Sequence, residues 1–359
     1  MIVLNFCNYF SGSKVYLRLF GSLDMSGVDT FTYVSQKRRE PTLRTKKDLL
    51  VINNQTIFCK YFYTLKVITV LSGIRKVKAK ESLVHAHTLY SDGIPAYLYS
   101  IFNKKQLVIT IRTTDIMLGF KYYRQHKWLA RKALRYAKKI IFISPSHLER
   151  FISYFGNEFN SKVMVIPNGI DDFYLNNTQE YRKKKQSAII GLYIGRVDRN
   201  KNVDSSITSF FRATKGKNSR FRVVGGTYED YVKVYGPLAG EIVGRVEFLG
   251  ELRKEEVLKQ MRDSSLLIMV SHSETFGLVY IEALSQCLPI VYTSGQGIDG
   301  YFKDGEYGFK ANSSSVESIS KAIKNTLHKF PNGLGPFEEN PAVSFSWDRI
   351  AKVYMEEVY

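Results

Sequence analysis

The chain has 359 residues, 44% of them hydrophobic and 24% charged, which supplies a sizeable core and excludes a largely disordered protein. Cys7, Cys59 and Cys287 have no metal-ligand spacing, which argues against a disulfide framework and suits a reducing compartment. No run of about 18 apolar residues is present, so no membrane span is expected, and the net charge of +19 points to an anionic partner.

That charge is unevenly placed. Residues 1–166 hold 27 Lys and Arg against 9 Asp and Glu, a net +18, whereas residues 167–359 hold 25 against 24, a net +1. Solubility alone does not require such a split, so the first half is expected to meet something anionic. The chain opens without a basic leader and reads as a first strand rather than a signal peptide. Apolar runs at 2–4, 31–34, 83–84, 107–111, 140–143 and 163–166 are predicted strands. With helical patterns between them they describe an α/β sheet. Ser11-Gly12-Ser13-Lys14 follows the first strand and is read as a small-residue loop where an acceptor or phosphate approaches the backbone. It is no GxGxxG motif, and a plain strand-to-helix turn is the alternative.

His85-Ala86-His87 follows the 83–84 run, with no third residue spaced to complete a metal site. The 107–111 run leads into Arg112-Thr113-Thr114-Asp115. There Arg112 either neutralises phosphate or a developing negative charge, or pairs with Asp115. Residues 121–139 are basic, aromatic and helical in pattern. Lys37-Arg38-Arg39, Arg44/Lys46/Lys47 and Lys76/Lys78/Lys80 add further positive clusters. Such a helix lies either in an anionic membrane interface or on the sheet with a solvated face; the charge of the whole half favours the membrane. Ile166-Pro167-Asn168-Gly169 is a Pro/Gly boundary between two domains.

The second half opens with a strand at 189–194 and Gly195-Arg196-Val197-Asp198-Arg199-Asn200-Lys201-Asn202. A helix carrying Val203, Ile207, Phe210 and Phe211 on one face follows. Gly195 lets a ligand approach, and Arg196 and Lys201 bring two cations to a strand end, either for phosphate oxygens or as solvated surface charge. Strands with glycine turns follow at 221–226 and 246–250. A buried run at 266–270 then leads through Ser271-His272-Ser273-Glu274-Thr275-Phe276-Gly277-Leu278 into a helix carrying Glu282. The plain reading caps the helix with Glu274 and exposes Glu282. Eight residues of helix would separate the two carboxylates by roughly 12 Å, with the backbone N–H groups around Thr275, Phe276, Gly277 and Leu278 facing an anion. Tyr292-Thr293-Ser294-Gly295-Gln296-Gly297-Ile298-Asp299-Gly300 is a second glycine-rich loop able to cradle phosphate through backbone N–H groups.

Pro167-Asn168-Gly169, Gly195-Arg196…Lys201, the Glu274-x7-Glu282 pair and Phe345-Ser346-Trp347, in this order, resemble retaining glycosyltransferases of the two-Rossmann GT-B fold, group 1 (family 4). The resemblance covers most of 80–359 and is strongest at 189–202 and 264–300; the first 80 residues match in general organisation. It implies two Rossmann-like domains facing across a cleft. Residues 1–166 would bind the acceptor and 167–343 the donor. Residues 344–359 would form a helix crossing back to the first domain, packed by Phe345 and Trp347. The implied reaction is metal-independent transfer of a hexosyl or N-acetylhexosaminyl group from a nucleotide-diphosphate sugar, with retention of configuration and no cofactor. No Asp-x-Asp metal mark is present.

By this resemblance Arg196 and Lys201 clamp the diphosphate, Glu274 contacts the donor sugar and Glu282 the ribose. Gly250 lies by the nucleobase, and Gly297 lies in the second phosphate loop. His87 lines the cleft at a strand end. Arg112 stands where relatives carry a His, which puts a His-based role there in doubt. Gly12, Ser13 and Asp115 lie on the acceptor side. Asp299 stands near where relatives carry a Glu, and Cys287 where they usually have Gly. The implied partners are a glycan or lipid-linked acceptor of a surface polysaccharide and an anionic membrane surface, with the protein cytoplasmic and peripheral on the inner face, and no nucleic acid. The alternatives are a nucleotide-sugar epimerase of similar fold and a basic nucleic-acid-binding protein, the latter without any recognised motif.

Overall fold

The structure, a computed structural model, describes residues 1–8, 10, 14–37, 49–75, 81–181 and 187–359. The chain divides into two compact units, Met1–Gly169 with Trp347–Tyr359, and Ile170–Ser346. Among the described residues no helix is long and apolar enough to cross a membrane.

The first unit is built on seven strands: β1 (Ile2–Phe6), β2 (Asp29–Lys37), β3 (Leu49–Gln55), β4 (Leu83–Ala86), β5 (Gln106–Ile111), β6 (Lys139–Phe142) and β7 (Val163–Val165). All are parallel, in the order β3-β2-β1-β4-β5-β6-β7. The central strands are largely apolar because both faces are covered, with Asn5, His85 and Thr110 as buried polar exceptions. Val67, Ile94, Ala130 and Phe151 pack on one face, and Leu19, Leu23, Trp347 and Ile350 on the other. Strand order reverses at β1, whose neighbours are β2 and β4, so the switch-point crevice of this sheet lies beyond the ends of β1 and β4. Gly12 and Ser13 lie outside the described residues, as do Arg38, Arg39, Arg44, Lys46, Lys47, Lys76, Lys78 and Lys80.

The basic stretch 121–139 is not one helix. A turn at Phe120–Tyr122 and a 3₁₀ turn at Arg124–His126 precede the helix Lys127–Tyr136. Part of its charge is tied down. Lys127 Nζ donates to the Tyr154 carbonyl at 2.6 Å, Arg131 to the Phe155 carbonyl at 2.8 Å, and Arg135 Nε to Glu158 at 2.9 Å.

The second unit carries six parallel strands: β8 (Ile189–Ile194), β9 (Ser219–Val224), β10 (Val246–Phe248), β11 (Leu266–Ile268), β12 (Ile290–Thr293) and β13 (Gly308–Ala311). Their order is β10-β9-β8-β11-β12-β13. The helix Val203–Ala213 buries Val203, Ile207 and Phe210, the residues its period selects. Order reverses at β8, between β9 and β11, which brings the loops after β8 and β11 to the two sides of one crevice.

The chain leaves the first unit at Gly169 and re-enters it at Trp347. These two residues are in contact. A Cβ on Gly169 would sit 2.5 Å from the Trp347 ring, so the glycine of the Pro-Asn-Gly turn makes room for the indole. The helix Trp347–Val353 thus packs back on the first unit, as expected. Phe345 does otherwise. It lies in the core of the second unit, its ring 5.9 Å from Phe276 and 5.7 Å from Tyr301.

Candidate functional site

The loop after β8 is held by its own polar groups. The Tyr193 hydroxyl donates to the Arg196 carbonyl at 2.8 Å, and the Lys201 amide to Asp198 Oδ1 at 2.8 Å. Three glycines line the neighbouring strand ends. The Gly225 amide donates to the Gly250 carbonyl at 2.7 Å, and a Cβ on Gly225 would lie 2.6 Å from the Gly195 carbonyl oxygen. Gly195 and Gly250 are therefore joined through Gly225 in a shelf without side chains. Gly225 (φ +98°) and Gly250 (φ +64°) hold left-handed backbone, which glycine adopts at little cost.

Across the crevice, the loop after β11 aims Glu274 at Lys201. Lys201 Nζ lies 2.7 Å from Glu274 Oε2, with the two side chains 20% and 11% exposed. The other carboxylate oxygen accepts the Thr275 amide at 3.0 Å, and Ser271 Oγ stands 3.5 Å from Oε2. The backbone around Glu274 is pinned as well. Its amide donates to Gln296 Oε1 at 3.3 Å, and its carbonyl accepts the Gly297 amide at 3.3 Å. Cβ atoms on Gly277 and Gly297 would come 3.3 Å and 3.1 Å from Glu274 Cγ, so two glycines enclose this side chain. Arg196, 84% exposed, approaches Asp198 at 3.7 Å and is the freer of the two cations.

The helix after this loop is Leu278–Ser285, entered through Gly277 at φ +80°. Glu274 therefore precedes the helix, and only the steps from Leu278 to Glu282 rise along it, about 6 Å; the expectation of eight helical residues between the carboxylates is corrected. The first N–H groups of this helix have no intrahelical acceptor. Phe276 is buried among Tyr301 and Phe345, so it offers a ligand its backbone rather than its ring. Glu282 is half-buried beside Tyr174. Burial, and then the Glu282 carboxylate, push that phenol's pKa up.

The structure thus brings Lys201, Glu274, Thr275, Gly277 and Gly297 together, with Arg196 on the same loop as Lys201, Gly195 and Gly250 on the glycine shelf, and Leu278 and Glu282 on the helix beyond. Sequence reading missed the braces: Asp198, Gln296, Asn200, whose side chain donates to the Ser273 carbonyl at 3.0 Å, and Thr293, whose hydroxyl donates to the Ser271 carbonyl at 2.8 Å. Polar residues in strand-end loops were the available signal. Asp299 closes its own loop, accepting the Gly295 amide at 2.7 Å and pairing with Lys310 at 3.4 Å. Cys287 holds φ +55°, the backbone that a glycine would adopt more easily.

The remaining candidates belong to the first unit. His87 is fully buried, stacked 4.2 Å from the His85 ring and hydrogen-bonded to Asn5 Oδ1 at 2.9 Å. Tyr16 and Phe20 meet it edge-on at 5.2 and 5.3 Å. Burial lowers the pKa of both imidazoles, His85 to about 3, so both are neutral near pH 7. The Arg112 guanidinium lies 4.6 Å over the Tyr16 ring. Its backbone amide, not its side chain, donates to Asp115 Oδ2 at 3.1 Å, and the Tyr90 amide donates to Asp115 Oδ1 at 3.2 Å. Asp115 is 3% exposed and holds the backbone of this turn. Among the described residues no group of three or more His, Cys, Asp or Glu is arranged to hold a metal.

Burial raises the Asp115 pKa to about 6 and that of nearby Asp92 to about 7. Asp92 accepts the Asn8 amide at 3.0 Å and the Thr88 hydroxyl at 2.9 Å. A carboxyl whose folded pKa is raised adds stability below its unfolded pKa, and that stability is lost as pH rises through the folded value. Unfolding free energy from urea titrations should therefore fall between about pH 4 and pH 8, by on the order of 4 kcal/mol from Asp92. Asp92→Asn should flatten that dependence; an equally steep profile in the variant would remove Asp92 as its source.

Comparison with known proteins places this geometry. A family model described as "Glycosyl transferases group 1" matches residues 176–331, and one described as "Glycosyltransferase Family 4" matches residues 15–172. An uncharacterised glycosyltransferase of Methanocaldococcus jannaschii is 24% identical over 76% of this chain and 75% of its own. The alpha-monoglucosyldiacylglycerol synthase of Acholeplasma laidlawii is 23% identical over 80% of this chain and 75% of its own. Among solved structures, Anabaena HepE in complex with UDP and glucose superimposes with a TM-score of 0.66 at 17% identity, covering 99% of this chain and 98% of that one. Two parallel sheets, each with its reversal point, and two family matches that between them run from residue 15 to residue 331 lead to one conclusion: the chain belongs to the group 1 glycosyltransferases of the GT-B fold.

Proposed function

We propose that the protein transfers a hexosyl or N-acetylhexosaminyl group, with retention and without a metal ion, from a nucleotide-diphosphate sugar to a lipid-linked or surface-polysaccharide acceptor, working cytoplasmically at the inner face of a membrane. The observation that carries the donor reading is the Lys201–Glu274 pair at the switch point of the second unit. As the glycosidic bond breaks, negative charge builds on the departing diphosphate. Lys201, Arg196 and the first amides of the helix Leu278–Ser285 stabilise that charge, the work a metal would otherwise do. Glu274 meets the sugar hydroxyls and Glu282 the ribose.

In the first unit, Arg112 supplies a positive charge on the acceptor side, with His87 behind it. The lipid acceptor is supported by the basic first half and by a relative named for making a glucosyl-diacylglycerol. A thermal-shift screen across nucleotide sugars should single out one donor base and sugar, since a ligand bound to the native state raises its stability. Turnover of that donor should leave the anomeric configuration unchanged and persist in EDTA. Inverted product, EDTA-sensitive turnover, or release of an epimerised sugar would overturn the corresponding part of the reading.

A further inference from the structure

We infer that the outer face of residues 57–68 is a docking surface for an anionic phospholipid bilayer, one that inserts apolar side chains as well as offering charge. The inference deepens the membrane reading above and rests on it. The helix Tyr63–Ile74 turns Tyr63, Val67, Val70 and Ile74 into the core of the first unit. Leu65 and Ile68 stand two positions before Val67 and Val70, about 200° round that helix, and so face away from that core; Tyr61 ends the short preceding turn Phe58–Tyr61, set off from the helix by extended Phe62. Ile57, Phe58, Tyr61, Phe62 and Ile68 are 58–71% exposed and Leu65 39%. An element apolar on both faces needs a second apolar neighbour.

The charge around this face says which neighbour. Residues 49–75 contain no Asp or Glu, and neither do residues 120–139. The two segments meet where the Tyr63 ring lies 4.8 Å from Tyr123 and 4.4 Å from His126. Beside that junction Tyr122 and Trp128 are each 60% exposed, with Lys121 and Lys132 over their rings at 5.3 and 5.1 Å. Aromatics with an apolar body and a polar tip, set among cations and next to aliphatic side chains, suit the boundary between anionic headgroups and acyl chains. A second copy of the same face would bring like charges together. A nucleic acid would find no use for Ile57, Leu65 and Ile68. Residues 57–68 follow the end of β3 at Gln55, so the surface lies at the same end of the sheet as Arg112 after β5 and His87 after β4, the end assigned to the acceptor.

The test is sedimentation of the full chain with vesicles of phosphatidylcholine alone or mixed with phosphatidylglycerol, at about 0.1 M and about 0.5 M salt. The wild type should bind the mixed vesicles. Leu65→Ser/Ile68→Ser should bind at least tenfold more weakly at both salt concentrations. Lys121→Gln/Arg124→Gln should lose binding mainly at the lower one. All these side chains are exposed, so thermal midpoints and nucleotide-induced shifts should match the wild type and keep donor binding separate from docking. Failure of the wild type to bind overturns the membrane reading and this inference together. Wild-type binding that survives Leu65→Ser/Ile68→Ser overturns the surface alone. A lipid-free dimer that the same variant dissociates gives the surface to a second copy and overturns the inference.

Discussion

Lys201→Met should cost about 3 kcal/mol of stability and lower donor turnover by 10²–10³-fold, roughly what removal of one donor to a developing oxyanion costs. The two losses have different origins. Lys201 and Glu274 lie 2.7 Å apart and largely out of water, so removing the cation leaves a carboxylate with the Thr275 amide and Ser271 for company. Breaking such a pair from one side is far costlier than replacing both partners. Adding Glu274→Gln to Lys201→Met should therefore recover most of the urea midpoint while activity stays low. A single variant as stable as the wild type would mean that the pair is not buried in solution. An unchanged single-turnover rate would remove Lys201 from the diphosphate site. The buried ion pair is the reason to expect both losses.

The second large effect is expected at Gly277. Gly277→Ala should destabilise by about 2–4 kcal/mol, the sum of a left-handed backbone penalty of about 1 kcal/mol and overpacking of about 1–3 kcal/mol. The new Cβ runs into the Tyr280 ring. That ring cannot easily move, because it is 1% exposed and its hydroxyl donates to the Met269 carbonyl at 2.7 Å. Glu274 Cγ, 3.3 Å from the same position, would shift with the loop, so activity should fall too. Gly250→Ala is the control: φ is +64°, yet nothing lies within 4 Å of its Cβ, so only the backbone penalty of about 1 kcal/mol applies. Equal midpoints for the two variants would show that space at Gly277 is not what matters.

Much of the architecture was legible because the physics was local. Strands covered on both faces are largely apolar, and the runs within β1, β5, β6, β8 and β11 could hardly be read otherwise. The short β13, Gly-Phe-Lys-Ala, carries no such run, and the apolar start of β3, Leu-Leu-Val-Ile-Asn-Asn-Gln, gives way to three polar residues. They lie at the outer edges of their sheets, where only one neighbouring strand supports them. Phe345 and Trp347 are two residues apart and looked alike in sequence, yet the chain crosses between units between them. No local pattern distinguishes which core each ring enters.

Local sequence was enough to name the residue types of the proposed donor site, Gly195, Arg196, Lys201, Glu274, Gly277, Glu282 and Gly297, because phosphate and sugar chemistry calls for cations, carboxylates and glycines at strand ends. Only the tertiary structure decided their partners. Lys201 and Glu274 are 73 positions apart, and they meet because strand order reverses at β8 and sets the loops after β8 and β11 face to face. Asp115 is turned to backbone amides, Glu274 is placed before the helix rather than on it, and Leu65 and Ile68 are left uncovered by the same kind of cause. Burial and pairing depend on which distant segments arrive, and one segment's periodicity does not carry that information.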